Sequence, residues 1–153
     1  MMRNRLASAA SIAAVVLFGC GAAAWSGSLT ITDHHKAPLG DYLTDGQGRT
    51  MYVFTADKHG GSACDDACAK AWPPVITDGA VMFGGDVKPS DLDTIKRGKQ
   101  RQATYNGMPL YFFARDKSSG SLAGEGIKHF GGTWYVVSPD GHPILPNGKK
   151  LRG

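Results

Sequence analysis

The sequence contains a single glutamate, Glu125, and three cysteines, Cys20, Cys64 and Cys68. It has no Gly-x-Ser-x-Gly elbow, no His-Glu-x-x-His pair, no glycine-rich phosphate loop and no Cys-x-x-Cys-His haem attachment. These absences argue against the common serine hydrolases, zinc proteases, nucleotide-binding enzymes and c-type cytochromes. With one glutamate, a glycosidase pair would need aspartates, and their spacing does not support one. The chain is therefore predicted not to be an enzyme.

The chain also lacks an apolar run long enough to cross a membrane. The run at residues 6–18 follows the charged start Met1-Met2-Arg3-Asn4-Arg5, but a spanning helix needs about 20 apolar residues. A short apolar run after a charged lead is typical of a secretory signal peptide. We therefore predict that residues 1–19 are a leader and that the protein is exported.

Two cleavage sites compete at the end of this leader. Leu17-Phe18-Gly19-Cys20 resembles a bacterial lipobox, with phenylalanine as a departure, and its cysteine would be lipidated. Cleavage after Ala24, a small-x-small site, would instead release a soluble secreted protein. Lipidation of Cys20 is favoured because it leaves an even pair, Cys64 and Cys68, in an oxidising compartment. The predicted location is the bacterial cell envelope, lipid-anchored and facing the periplasm or exterior.

Charge of either sign is nearly balanced. Removing Arg3 and Arg5 with the leader lowers the formal net charge from +4 to +2, so nothing points to a nucleic-acid partner. The predicted partners are the membrane, through the lipid, and an unknown envelope protein or small ligand. Residues 20–38 are predicted to be a flexible tether and residues 147–153 a basic tail.

One motif occurs twice in the chain. Three residues recur after 59 positions, and a tryptophan follows each copy; the set is Tyr52, Phe54, Asp57 and Trp72, then Tyr111, Phe113, Asp116 and Trp134. Two related halves in a chain of this size predict a single pseudo-symmetric domain rather than a solenoid. The predicted domain covers residues 39–146, with repeats at about 39–75 and 101–138.

These residues resemble the bacterial predicted lipoproteins marked by a Tyr-x-aromatic-x-x-Asp motif, also described as a secreted repeat of unknown function. The two motif copies carry the resemblance, together with Cys64, Cys68 and Trp72-Pro73-Pro74 between them. It covers about residues 39–141. The resemblance implies a lipoprotein of the cell envelope and brings no activity with it.

Turn signals predict the fold class. Asp45-Gly46 and Asn106-Gly107 are dipeptides of tight hairpin turns, each followed by a β-rich apolar run, and Pro139-Asp140-Gly141-His142 indicates a third hairpin. The prediction is a mostly β (β-rich α+β) fold of two related antiparallel β-hairpin repeats with one short helix. The motif aromatics are expected in the core rather than on a ligand-stacking surface. Asp57 and Asp116 are expected to accept backbone N–H groups in the loops behind them.

The cysteine pair lies in the predicted helix, from about Ser62 to Trp72. Ser62-Ala63-Cys64-Asp65 resembles a capping box, and Pro73-Pro74 stops the helix. Positions four apart share a helix face at a Cα separation of about 6 Å, which a disulfide accepts. Because exported thiol pairs are usually bridged, we predict a structural disulfide and no cofactor.

A copper-binding or thiol-redox site is the alternative. Cys-x-x-x-Cys resembles the copper site of chaperones for cytochrome oxidase assembly, and His59 could join Cys64 and Cys68, since thiolates suit Cu(I). The histidines and sulfurs show no regular spacing that would support such a site. The second half lacks the cysteines, so any ligand role is predicted at the seam between the halves or in residues 59–72.

Overall fold

The computed structural model describes residues 28–152, and β-strands are the main regular structure of this part of the chain. The helix α1, Asp66–Ala71, follows the third strand, and a 3-10 turn, Pro89–Asp91, precedes the sixth. The predicted fold class is confirmed. The strands are β1 Leu29–Lys36, β2 Gly40–Asp45, β3 Tyr52–Phe54, β4 Ile76–Thr77, β5 Val81–Phe83, β6 Leu92–Arg97, β7 Gln100–Tyr105, β8 Met108–Pro109, β9 Lys128–His129 and β10 Gly132–Val136.

The strands form three small sheets. Their orders are β2-β1-β5, β3-β10-β9 and β4-β7-β6, with β8 also paired to β7. All pairings within them are antiparallel except that of β1 with β5. The first repeat consists of β1 to β4 with α1, and the second repeat consists of β6 to β10.

The last strand of each repeat pairs with the other repeat. β4 of the first repeat lies against β7 of the second, and β10 of the second lies against β3 of the first. Backbone hydrogen bonds also join the two repeats in both directions: Leu43 N donates to Val137 O at 2.9 Å, and Ala103 N donates to Val75 O at 2.8 Å. Two of the three sheets therefore contain strands of both repeats, and the two repeats form one intertwined unit.

Two clusters of buried side chains fill the interior, and both take residues from both repeats. One contains the motif aromatics together with Cys64, which precedes α1, and Cys68, which lies in α1. The other is mainly aliphatic and lies around β1, β2 and β7; it includes Ile31, Leu43, Met51, Val53, Val75, Ala103, Leu110 and Val137.

Three predicted boundaries are corrected by the structure. Residues 29–36 of the predicted tether form β1, in register with β2 from Ile31↔Asp45 to Lys36↔Gly40, because the alternating Leu29-Thr-Ile31-Thr buries Ile31 completely. β7, which contains residue 101, forms a hairpin with β6, so this hairpin begins at Leu92, before the predicted start of the second repeat at about residue 101. In the predicted basic tail, Lys150 bridges to Ile144 and Leu151 N donates to Pro143 O at 2.8 Å, so this segment folds back onto the domain.

The predicted turns have different outcomes. Asn106 and Gly107 have φ of 46° and 75° and join β7 to β8, the two-residue hairpin that their sequence favours. The segment after Val137 also turns back, pairing Val137 with Pro143. The tight turn predicted at Asp45-Gly46 is wrong. The Asp45 carboxylate accepts from the backbone N–H groups of Gln47 and Arg49, and this holds a longer loop open.

Candidate functional site

Tyr52 and Tyr111, the first residues of the two motif copies, lie directly opposite each other at the centre of the molecule. Tyr52 N donates to Tyr111 O at 2.8 Å, and Tyr111 N donates to Tyr52 O at 2.9 Å. Both residues are fully buried. A pair that exchanges both backbone bonds in this way has local two-fold symmetry, so the sequence repeat is matched by a repeat in space.

Each motif tyrosine donates its hydroxyl hydrogen to the motif aspartate of the other repeat. Tyr52 Oη donates to Asp116 Oδ2 at 2.7 Å, and Tyr111 Oη donates to Asp57 Oδ2 at 2.8 Å. Hydrogen bonds to an ionised carboxylate are about twice as strong as neutral ones. The motif therefore ties the two repeats together at two symmetry-related points.

The second oxygen of each carboxylate accepts from the loop that follows it. Asp57 Oδ1 accepts from Ala63 N at 2.7 Å, and Asp116 Oδ1 accepts from Ala123 N and from Ser121 Oγ, each at 3.0 Å. Both aspartates therefore close their own loops with one oxygen and bind the partner repeat with the other.

Burial changes the proton affinity of these groups. It raises the pKa of Tyr52 and of Tyr111, and the neighbouring carboxylates raise both further. Burial also raises the pKa of Asp57, while the bonds from Ala63 N and Tyr111 and the nearby Arg97 charge oppose that effect. The tyrosines thus remain protonated donors at neutral pH, as this arrangement requires.

Four aromatic side chains form a continuous column between the repeats. Trp72 and Trp134 stack at the centre with ring centroids 3.9 Å apart and planes at 1°. Phe54 stacks on Trp134 at 4.1 Å, and Phe113 stacks on Trp72 at 4.1 Å. Each phenylalanine therefore packs on the tryptophan of the other repeat. These buried rings fill the centre of the seam, and a small open cavity beside it is lined by Arg49 and Thr50 of the first half and Phe113 and Asp116 of the second.

Cys64 and Cys68 form a disulfide at the start of the helix. Their Cα atoms are 5.1 Å apart, and both residues are buried. α1 itself begins at Asp66 rather than Ser62, and the Asp65 side chain caps no backbone group. The predicted capping box is therefore only half formed: Ser62 Oγ accepts from Cys64 N at 3.2 Å and also bonds Tyr111 Oη at 2.7 Å, but Asp65 does not reach back.

Arg97 binds this disulfide loop from the second repeat. Its guanidinium donates to Ser62 Oγ at 2.8 Å, to Gln102 Oε1 at 3.0 Å and to the Cys64 carbonyl oxygen. Because Tyr111 donates to Asp57, Ser62 donates to Tyr111, so a hydrogen-bonded chain runs from the arginine to the aspartate. The arginine side chain is only 18% exposed.

The sequence did not single out Arg97, because the run around it reads as a solvated basic loop. The signal that could have placed Arg97 at the end of a strand is its position before Gly98. That glycine has φ of 59° in the two-residue turn between β6 and β7. Lys36 ends β1 as Arg97 ends β6, and it reaches only the Gly120 carbonyl oxygen, at 3.4 Å. The two halves therefore differ at this point.

Glu125 is a second residue whose role the sequence did not reveal. Its Oε2 accepts from Val136 N at 2.7 Å, and its Oε1 is buried with no partner among residues 28–152. Burial raises the pKa of this carboxyl to about 7, against the lowering effect of the Val136 bond. Tyr42 Oη is likewise buried and has no hydrogen-bond partner in the described part of the chain.

The residues of the copper alternative are arranged differently from a thiolate site. The two sulfurs are bonded to each other, and the exposed His59 ring packs against Gly107, where an added Cβ would come within 1.9 Å of Nε2. Within residues 28–152, no three His, Cys, Asp or Glu side chains are grouped to hold a metal ion.

Residues 59–72, the other predicted ligand region, border an open polar pocket. Gly60, Gly61, Ser62, Asp65 and Arg97 contribute to its wall, and its volume is about 500 Å³. Cys20 and Ala24, the competing ends of the leader, lie outside the described residues. In the described part of the chain, no helix has the length and apolar character needed to cross a membrane.

The fold and the motif define a class of protein, a β domain of two repeats that exchange strands and bond to each other through Tyr–Asp pairs. A family model described as a secreted repeat of unknown function matches residues 34–76 and 93–138, more than half of the chain. The protein belongs to this family, and the match confirms the repeat pair. The family is secreted, which agrees with an extracellular or envelope location. No curated protein and no solved structure matches the chain.

Proposed function

We propose that the protein is a non-enzymatic module of the bacterial cell envelope, anchored by a lipid on Cys20, whose motif serves the fold. One observation carries the proposal: the polar side chains of the motif bond to each other or to neighbouring loops. Tyr52 and Asp116 are paired, as are Tyr111 and Asp57. A catalytic acid or base needs access to a substrate proton, whereas both tyrosine hydroxyls are buried and both carboxylates already accept hydrogen bonds on each oxygen.

The disulfide supports a structural role for the cysteines in the same proposal. Thiolates are the form that attacks substrates and binds metals, and here both sulfurs are buried in a bond. We therefore propose that the protein acts without a bound cofactor and offers its surface to an envelope protein or a small ligand. The polar pocket beside Arg97 is the candidate for that contact, because it lies where the two halves differ.

The test is the intact mass of the protein exported from a bacterial host with its own leader, with and without thiol alkylation, followed by metal analysis. The proposal predicts an acylated chain beginning at Cys20, cysteines that are alkylated only after reduction, and no bound metal. A Cys20→Ser variant is the matched control and should lose the acyl mass while keeping the disulfide.

Two results would overturn the proposal in different ways. An unacylated chain beginning at residue 25 would remove the anchor and leave a soluble secreted module. Free, alkylatable thiols carrying stoichiometric copper would rule out a structural disulfide. They would support the copper alternative, in which Cys64, Cys68 and His59 are the site.

A further inference from the structure

Strand β5 lies at the edge of its sheet and exposes apolar side chains. It pairs with β1 on one side, from Leu29↔Val81 to Ile31↔Phe83, and no strand of residues 28–152 pairs with its other side. Met82 is 58% exposed and Phe83 is 37% exposed. An exposed apolar edge strand favours association with another surface.

The chain enters the domain at this edge. Ser28, the first described residue, bonds Met82 Sδ through its hydroxyl at 3.5 Å, and β1 begins beside Val81. The segment that begins at the proposed lipidation site, Cys20, and ends just before Ser28 is eight residues long, 20–27. Because an extended chain spans at most about 3.5 Å per residue, this segment reaches no more than about 28 Å. A lipid on Cys20 would therefore keep the start of β1, beside the β5 edge, within about 28 Å of the bilayer.

We propose that the β5 edge, meaning the exposed side chains of Met82 and Phe83 on its two sides, rests on the lipid surface in which Cys20 is anchored. This inference depends on the proposed lipidation. The connecting segment suits the same position, since residues 20–27 contain no charged side chain and include Trp25. Tryptophan is enriched where a membrane meets water, and an added apolar contact strengthens anchoring by acyl chains.

The contact is apolar rather than electrostatic. Asp33 and Asp86 lie beside the β5 edge, where Asp33 Oδ1 accepts from Asp86 N at 2.8 Å. Anionic headgroups would repel these carboxylates, so the carboxylates add no attraction to acidic lipids. The contact should therefore persist at high salt, because screening weakens attraction between charges and leaves burial of apolar area intact.

Methionine methyl groups provide a direct probe. A chain beginning at Cys20 has three methionines: Met51 is fully buried, Met82 is exposed on β5, and Met108 lies in β8 on another sheet. The acylated protein, labelled with 13C at these methyl groups, is reconstituted in vesicles of phosphatidylethanolamine and phosphatidylglycerol that carry nitroxide-labelled lipid. The Met82 signal should be lost, while the Met51 and Met108 signals should remain, at low and at high salt.

Matched variants complete the test through the nitroxide effect on the Met82 signal. Phe83→Ser should reduce the loss of that signal, and Phe130→Ser, which removes a ring that is also 37% exposed on a different turn, should leave it unchanged. An acylated protein whose three methionine signals respond equally would overturn the inference and leave the anchor intact. Loss of the Met82 signal on concentration without vesicles would overturn it in favour of edge pairing between two copies. A chain without an acyl group would overturn both proposals.

Discussion

Tyr52 of the first repeat donates its hydroxyl hydrogen to Asp116 of the second, 64 residues further along the chain and 2.7 Å away in space. The same bond is made in the opposite direction by Tyr111 and Asp57 at 2.8 Å. The motif that marks each repeat is therefore completed only by the other repeat. This crossed arrangement explains why the two copies retain the same polar residues inside a single domain.

Removing the Tyr52 hydroxyl should destabilise the domain. Tyr52→Phe deletes a buried bond to a carboxylate, which costs about 2 kcal/mol of unfolding free energy. Tyr42→Phe is the matched control, because its hydroxyl is buried with no partner in residues 28–152, and it should change stability by less than about 0.5 kcal/mol. Urea unfolding followed by tryptophan fluorescence measures both, and equal losses would contradict the assigned role of Tyr52.

Arg97 should matter to stability, whereas Lys36 should not. Arg97→Gln removes charge-assisted bonds to the disulfide loop and should cost about 2 kcal/mol. Lys36→Gln removes only a 3.4 Å contact at the corresponding strand end and should stay within about 0.5 kcal/mol. Thermal unfolding of the two variants, both with the disulfide intact, decides the point. An Arg97→Gln protein as stable as the Lys36→Gln protein would show that the arginine contacts contribute nothing.

Glu125 should make stability depend on pH. Its folded-state pKa is raised from 4.5 to about 7, so the fold favours the protonated acid. The stabilisation is complete below the unfolded pKa and is lost as pH rises through about 7, with a total as large as about 3 kcal/mol. Unfolding measured from acidic to mildly alkaline pH should show this loss in the wild type. Subtracting the unfolding free energy of Glu125→Gln from that of the wild type at each pH isolates the contribution of this carboxyl. A difference that does not change with pH would show that the carboxyl is exposed to solvent.

The sequence allows local features to be predicted where neighbouring residues determine the conformation. Asn106 and Gly107 both take positive φ in a two-residue turn, as the dipeptide alone indicates. The Asp45-Gly46 prediction failed because the Asp45 side chain satisfies two backbone N–H groups of the next residues. The dipeptide pattern does not show this competition, although Asp45 could have been recognised as a residue that opens loops.

The sequence does not predict which strands and side chains pair when they lie far apart along the chain. The constant offset indicated two related halves, but not that β4 and β10 pair with the opposite repeats. The sequence predicts a tether at β1 because the polar His34-His35-Lys36 obscures the alternation that buries Ile31. The role of Arg97 is not visible in its neighbouring sequence, because its partners, Ser62 and the Cys64 carbonyl, are more than 30 residues away in sequence.

A double-mutant cycle tests the crossed arrangement most directly. Tyr52→Phe is combined with Asp116→Ala, its partner in the other repeat, and separately with Asp57→Ala, the aspartate of its own motif copy. The cycle subtracts the separate cost of each loop contact. We predict a coupling free energy of about 1 to 2 kcal/mol for Tyr52 with Asp116, and about zero for Tyr52 with Asp57. Equal couplings, or a larger one within the first repeat, would contradict the account of a motif completed across the two repeats.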